Sequence, residues 1–126
     1  MNIIYDGPED GPLCVFAHGA GAPMDSDFME TFTKGLASKG VRVARFEFPY
    51  MQERRDSGKK RPPNRQPELI ACFDGVLELL GQPAVLIGKS MGGRMASIIA
   101  SSFLPAASEA KDPINGFIKG VCAIGY

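Results

Sequence analysis

The stretch Ala84-Val85-Leu86-Ile87-Gly88-Lys89-Ser90-Met91-Gly92-Gly93-Arg94-Met95-Ala96 constrains the chain more than any other. An apolar run of strand length leads into a serine flanked by Gly88 and Gly92, and small and apolar residues lead away from it. That order predicts a strand, a sharp turn and a helix, with the serine hydroxyl presented at the turn. The turn forces the backbone at Ser90 into a strained conformation, and side chains at positions 88 and 92 would collide where strand and helix cross. The short pattern also arises by chance. The bland alternative is a small residue at a tight junction with no chemistry, so the flanking order has to carry the reading.

Taken from the start, Ile3-Ile4-Tyr5 reads as a short edge strand, closed by the turn-rich segment Asp6 to Pro12. Leu13-Cys14-Val15-Phe16-Ala17 is a continuous apolar run, the pattern of a strand buried on both faces. The Gly-rich loop His18-Gly19-Ala20-Gly21-Ala22-Pro23 follows directly. A helix is expected from Asp25 or Ser26, with Phe28, Phe32 and Leu36 on its apolar face and Lys39-Gly40 as its stop. Val41 to Phe48 alternates apolar and polar residues, as a half-buried strand does. Pro49 to Pro67 is polar and Pro-rich and reads as an extended loop.

A second helix carries Leu69, Phe73, Val76, Leu77 and Leu80 on one face and ends at Gly81. The strand Ala84 to Gly88 and a helix from about Ser90 to Ser102 follow, with Leu104-Pro105 closing that helix. Ala106 to Asn115 reads as a loop or frayed segment, and Gly120 to Gly125 as a last apolar strand. This alternation predicts an α/β fold, a mostly parallel sheet of roughly four strands joined by right-handed crossovers with helices on both faces.

At 126 residues the chain reads as one domain, residues 1–126. Fourteen basic and fourteen acidic side chains cancel, so no overall field favours nucleic acid or an anionic membrane. No apolar run reaches the roughly 18 residues that cross a bilayer. The start, Met-Asn-Ile-Ile-Tyr-Asp, lacks the pattern of a secretory leader, and a cytoplasmic location is expected. Cys14, Cys72 and Cys122 each lie in apolar segments and read as buried, reduced thiols. With a single histidine and no CxxC pair, no metal or cofactor is expected.

In an α/β sheet, sites form at the carboxyl ends of the strands, where the loop after Ala17 and the turn at Lys89 to Gly92 would both lie. Acyl transfer needs a nucleophile and backbone N–H donors aimed at the developing oxyanion. Ser90 is the candidate nucleophile, with donors at Met91 and, from the Gly-rich loop, Ala20. Gly88-Lys89-Ser90 also matches the end of a phosphate-binding loop. That pattern needs a glycine where Pro83 stands and a loop where Ala84 to Ile87 reads as strand, so it fails.

Three segments together carry a resemblance: Ala17 to Pro23, Phe46-Glu47-Phe48-Pro49-Tyr50, and Gly88 to Arg94. The chain resembles the α/β-hydrolase superfamily over nearly all its length, as that fold's N-terminal and central part. Within it, the segments look like a small branch of bacterial proteins related to testis-expressed protein 30 and to a subunit of a histone-acetyltransferase (NSL) complex. Similarity to dienelactone hydrolases is looser. The resemblance implies a three-layer serine-hydrolase fold, Ser90 as nucleophile, Ala20 and Met91 as oxyanion-hole donors, and His18 as a prop for its loop. It also implies a small-molecule acyl substrate, a small ester among them.

The sequence departs from that family at one place. A triad in this fold runs Ser, then Asp or Glu, then His. After Ser90 the acids are Glu109 and Asp112, and no histidine follows. The favoured expectation is a chain truncated after the sixth strand, with the C-terminal strands missing. The others are a rearranged dyad in which His18 or Lys89 serves as base, and a catalytically inactive binding module. Weak or absent esterase activity is therefore expected, because a serine without a base is a poor nucleophile.

Lys89 is expected to point to solvent. The segment Arg54 to Arg65 holds six basic residues against one acid and reads as a solvated, mobile loop, or else as an anion-binding lip over the site. Gly120 to Gly125 would form an exposed sheet edge, and a homo-oligomer built across it is expected.

Overall fold

The computed structural model describes residues 2–102 and 118–125, so the expected helix stop at Leu104-Pro105, the loop Ala106 to Asn115, and the acids Glu109 and Asp112 lie outside the described residues. The sheet is built from β1 (Ile3–Asp6), β2 (Leu13–Ala17), β3 (Arg42–Phe46), β4 (Ala84–Lys89) and β5 (Ile118–Ile124). The helices are α1 (Asp27–Ser38), α2 (Pro49–Ser57), α3 (Gln66–Leu80) and α4 (Met91–Ser102). The sheet runs β1-β3-β2-β4-β5. Its β3, β2, β4 and β5 are mutually parallel, and β1 joins β3 antiparallel, giving five strands rather than the roughly four expected.

The alternation of side chains along β2 divides the core into the two layers that a helix-covered sheet requires. Leu13, Val15 and Ala17 face a large cluster that includes Phe73 and Val76 of α3 and Ala96 and Ile99 of α4. Cys14 and Phe16 face the opposite way, against Met29 of α1, with Phe32 and Leu36 alongside. Helices thus cover both faces. All five β2 residues are buried, as the unbroken apolar run predicts.

Four expectations are corrected here. Pro49 to Pro67 is not an extended loop: Pro49 opens α2 at its first turn, Gly58 closes it at φ 74°, and α3 begins at Gln66. Proline is favoured at a first turn, where its missing N–H has no intrahelical partner to lose, so this proline starts a helix. β3 is not half-buried. Arg45 is only 2% exposed because its guanidinium is consumed by the Asp6 carboxylate at 2.8 Å, by Glu30 and by the Met24 carbonyl at 3.0 Å.

In α1 the fully buried positions are Met29 and Thr33; Phe32 and Leu36 of the expected face pack half-buried against the same core, but Phe28 stands 39% exposed. Its cap is the expected one, since the Ser26 hydroxyl accepts from the Met29 N–H. Among the cysteines only Cys14 is buried; Cys72 is half-buried and Cys122 is exposed, because β5 has a sheet neighbour on one side only among the described residues.

β2 leads to β3 on one side, whereas the next strand in sequence, β4, lies on the other side of β2. The strand order therefore reverses between β2 and β4. In open α/β sheets ligands bind at this reversal, outside the carboxyl ends of the strands. The loop after β2 and the turn after β4 are the two segments that meet there.

Candidate active site

The turn after β4 has the geometry that its glycines require. Ser90 is the one non-glycine residue with positive φ, 52°, among the described residues. Such a conformation costs a side-chain-bearing residue about 1–3 kcal/mol and persists only where the surroundings impose it. The surroundings do so: the Ser90 N–H donates to the Ile124 carbonyl at 2.7 Å, and the Ser90 carbonyl accepts from the Arg94 N–H at 3.0 Å. A Cβ on Gly88 would overlap the backbone of Gly92 and Gly93, so strand and helix touch main chain to main chain. A Cβ on Gly92 would strike the His18 and Ala17 carbonyls, the latter at 2.6 Å. Gly92 therefore serves a different contact from the expected strand–helix crossing. It lets the loop after β2 rest directly on the start of α4.

That loop is held from below. His18 is completely buried, and both its ring nitrogens are engaged, Nδ1 with the Gly19 carbonyl at 2.6 Å and Nε2 with the Phe48 N–H at 3.1 Å. An N–H donor on the backbone fixes Nε2 as the acceptor and puts the proton on Nδ1. Phe48 and Tyr50 meet the imidazole edge-on at ring separations of 5.1 and 5.9 Å. Burial holds the His18 pKa below the ordinary histidine value, which keeps the ring neutral and suits one donor and one acceptor. The Tyr50 hydroxyl donates to the Ala20 carbonyl at 2.9 Å, and burial pushes its pKa up to about 12, so it stays a donor at any physiological pH.

A second brace was not visible in the sequence. Glu47, 3% exposed, accepts two bonds from the Arg55 guanidinium, at 2.8 and 2.7 Å, and one from the Met24 N–H at 3.2 Å. Arg55 also reaches Asp25 at 2.7 Å, and this contact holds the Asp25 carboxyl below the usual carboxylate range. Arg54 donates to the Gly21 carbonyl at 3.3 Å. These two arginines were expected in a mobile basic segment or an anion-binding lip. Instead they are spent on fastening α2 to the loop. Glu47 and Tyr50 lie in the motif Phe46 to Tyr50, but only the fold reveals what they touch.

Between the loop and the turn lies a cleft of about 310 Å³ lined by Gly19, Ala20, Gly21, Ala22, Ser26, Phe28, Met29, Lys89 and Ser90. It brings together two of the expected site residues, the exposed Ser90 and Ala20. Met91 does not line it with its side chain, but as the first residue of α4 it carries one of the N–H groups that lack an intrahelical partner. His18 lies beneath the cleft rather than in it. Lys89 does not extend into solvent as expected; its Nζ sits 5.0 Å from the centre of the Phe28 ring. Burial pushes the Cys14 and Cys72 thiols up to about 12 and about 11, so neither supplies a thiolate near neutrality. Among the described residues no group of three or more His, Cys, Asp and Glu side chains could hold a metal ion. Among them, too, no helix is long and apolar enough to cross a membrane.

A family profile described as an alpha/beta hydrolase domain matches residues 10–126. The chain belongs to that family. No curated protein matches it in sequence. Among solved structures it is similar to a monoacylglycerol lipase from Paleococcus ferrophilus, with TM-score 0.65 and 23% identity over 97% of this chain and 41% of that one. It is similar to an alpha-beta serine hydrolase homologue from Coxiella burnetii, with TM-score 0.64 and 16% identity over 79% of this chain and 51% of that one. An epoxide hydrolase from Vigna radiata gives TM-score 0.64 and 17% identity over 95% of this chain and 35% of that one. The chain thus spans about half or less of the length of each. At such identities the likeness establishes the alpha/beta hydrolase fold and leaves the reaction to be argued from the site.

Proposed function

We propose that the cleft is an acyl-transfer site and that the chain is a serine-hydrolase-like protein acting on a small ester or related acyl compound. Ser90 is the nucleophile, the Ala20 and Met91 N–H groups receive the oxyanion, and His18 holds the loop that carries Ala20. The observation that carries this reading is the positive φ of an exposed serine at the head of α4, facing a braced glycine-rich loop across the cleft. Strain of that kind is retained where it places a reacting group. Two backbone donors held beforehand, one on the braced loop and one at the start of α4, suit charge that develops only in the transition state. The motifs at Ala17 to Pro23, Phe46 to Tyr50 and Gly88 to Arg94 support the narrower likeness to the testis-expressed-protein-30 and NSL-subunit branch.

One observation favours a second reading, a catalytically silent binding module on the same scaffold. The sole imidazole of the sequence is His18, and both its nitrogens face backbone partners, so it is not free to deprotonate Ser90. Lys89 remains as the basic group beside the serine in sequence. A serine without a base reacts slowly, although oxyanion stabilisation alone retains some rate over water.

A fluorophosphonate probe separates the two readings. Labelling at Ser90 that is lost in Ser90→Ala supports the hydrolase, accompanied by slow turnover of p-nitrophenyl acetate by the 126-residue chain. An unlabelled, correctly folded chain would point to the binding module.

A further inference from the structure

The cations around the cleft differ in how they are spent. Arg45 is enclosed by Asp6 and Glu30, Arg55 by Glu47 and Asp25, and Arg54 is turned to the Gly21 carbonyl. Lys89 lines the cleft and forms no ion pair among the described residues. The other lining residues are glycine, alanine, serine, phenylalanine and methionine, so Lys89 supplies the cleft's ionisable side chain. Its position is built. The stem packs at Gly19, where a Cβ would come within 3.4 Å of its Cγ, and its ammonium end rests at Gly125, where a Cβ would come within 2.5 Å of Nζ. Phe28 offers its ring to the ammonium, and an aromatic face at an exposed site is a weak hold on a cation. A carboxylate entering the cleft gives that cation a stronger partner.

We propose that Lys89 is a specificity-determining residue that selects acyl compounds bearing a carboxylate a few atoms from the reacting carbonyl, the half-esters of short dicarboxylic acids being the simplest case. The inference rests on the reading of Ser90 only in placing the carbonyl; the ion pair itself requires no reaction. Because Lys89 directly precedes Ser90, the selected anion lies within one lysine side chain of the nucleophile. The neighbouring apolar walls, Phe28 and Met29, accommodate the methylene spacer.

The test is binding, followed by amide shifts of Gly21, Lys89 and Ser90 in the isotope-labelled chain, with monomethyl glutarate as the anionic probe and dimethyl glutarate as its neutral partner. At low ionic strength the half-ester is expected to bind about fivefold more tightly, the upper range for a partly exposed ion pair. The preference should shrink as salt is added. It should vanish in Lys89→Gln and return in Lys89→Arg, which keeps a charge at the site and guards against a variant that merely misfolds. Equal binding of the two esters, binding of neither, or a preference that survives Lys89→Gln would overturn the proposal. A chain that keeps the preference but stays dark to the fluorophosphonate leaves Lys89 standing and removes the nucleophile. A labelled chain without the preference removes Lys89 alone.

Discussion

At the scale of the residue, the turn around Ser90 depends on hydrogen atoms standing where side chains would be. Gly88 meets the backbone of Gly92 and Gly93, and main chain cannot move aside as a flexible side chain can. Gly88→Ala is therefore expected to destabilise the fold by roughly 1–3 kcal/mol or more, the cost of overpacking a closed contact. Gly92→Ala should cost a similar amount and also lift the Ala20 loop off α4, so it should reduce fluorophosphonate labelling where stability is restored by cosolvent. Urea unfolding midpoints check the first effect, and labelling rates the second. By contrast Gly21→Ala meets open space and should leave the midpoint almost unchanged.

His18 gives the same site a pH dependence. Its folded-state pKa lies below the ordinary value of 6.5, chiefly because burial disfavours the charged ring, with the Gly19 carbonyl and Glu47 acting in the opposite direction. The unfolded chain therefore takes up the proton first as pH falls. The stability that neutral His18 contributes is present in full above 6.5 and is lost progressively as pH drops from there toward the folded value. Chemical denaturation across that range should show stability rising with pH, and His18→Asn should flatten the rise while lowering stability at pH 8. A slope unaltered by the substitution would assign the dependence elsewhere.

At the scale of the element, the Arg55 guanidinium carries the ion pairs that tie α2 to Glu47 and Asp25. Glu47 is fully enclosed at its side chain, while Arg55 is 35% and Asp25 41% exposed at theirs. Arg55→Ala leaves the Glu47 carboxylate buried against a single N–H donor and should cost on the order of 3 kcal/mol, the penalty of an uncompensated buried charge. Asp25→Ala breaks only the outer, wetter pair and should cost less than about 1 kcal/mol. Equal losses from the two variants, measured as unfolding free energies, would show that Glu47 finds another partner.

The same element shows why some segments are legible in the sequence and others are not. β2, β4 and α3 are legible because their apolar patterns have one explanation each, burial against a helix layer or a sheet. The turn at Ser90 is legible because its glycines answer a local steric demand. α2 carries a polar, basic sequence whose partners, Glu47 and Asp25, lie on other segments, and its opening proline also suits a loop. Arg45 in β3 looks like a solvent-facing residue until Asp6 and Glu30 are brought to it by β1 and α1. Charged residues buried by long-range pairing leave no periodic signal. The polar positions of β3 and α2 therefore hide their burial in the sequence, whereas the apolar runs of β2 and β4 display theirs.

At the scale of the whole molecule, the sheet of the described residues has two edges of different character. The β1 edge is a four-residue strand, Ile3–Asp6, running against the grain of the sheet and closed by a turn. The β5 edge is longer, Ile118–Ile124, and apolar from Gly120 onward, after the exposed Lys119, with Val121 41% exposed and Cys122 and Ala123 exposed beside it. One residue of irregular register separates its pairs with Ala84 and Val85, but from Val85 to Lys89 the ladder to β4 is regular. Among the described residues no further strand pairs with the outer side of β5, and an apolar strand with an unpaired row of N–H and C=O groups is a template for another strand. The 126-residue chain is expected to self-associate across β5, giving a dimer or larger species in sedimentation velocity whose fraction grows with concentration. Val121→Lys places a charge on that strand, the device by which edge strands resist pairing, and should shift the distribution toward monomer. Because Ser90 donates its N–H to Ile124, a partner strand that stiffens β5 would also stiffen the turn. Fluorophosphonate labelling per chain should then rise with protein concentration in the wild type and stay flat in Val121→Lys. A wild-type chain that sediments as a monomer at every concentration would mean that β5 does not act as a pairing edge, and the labelling rate should then show no dependence on concentration.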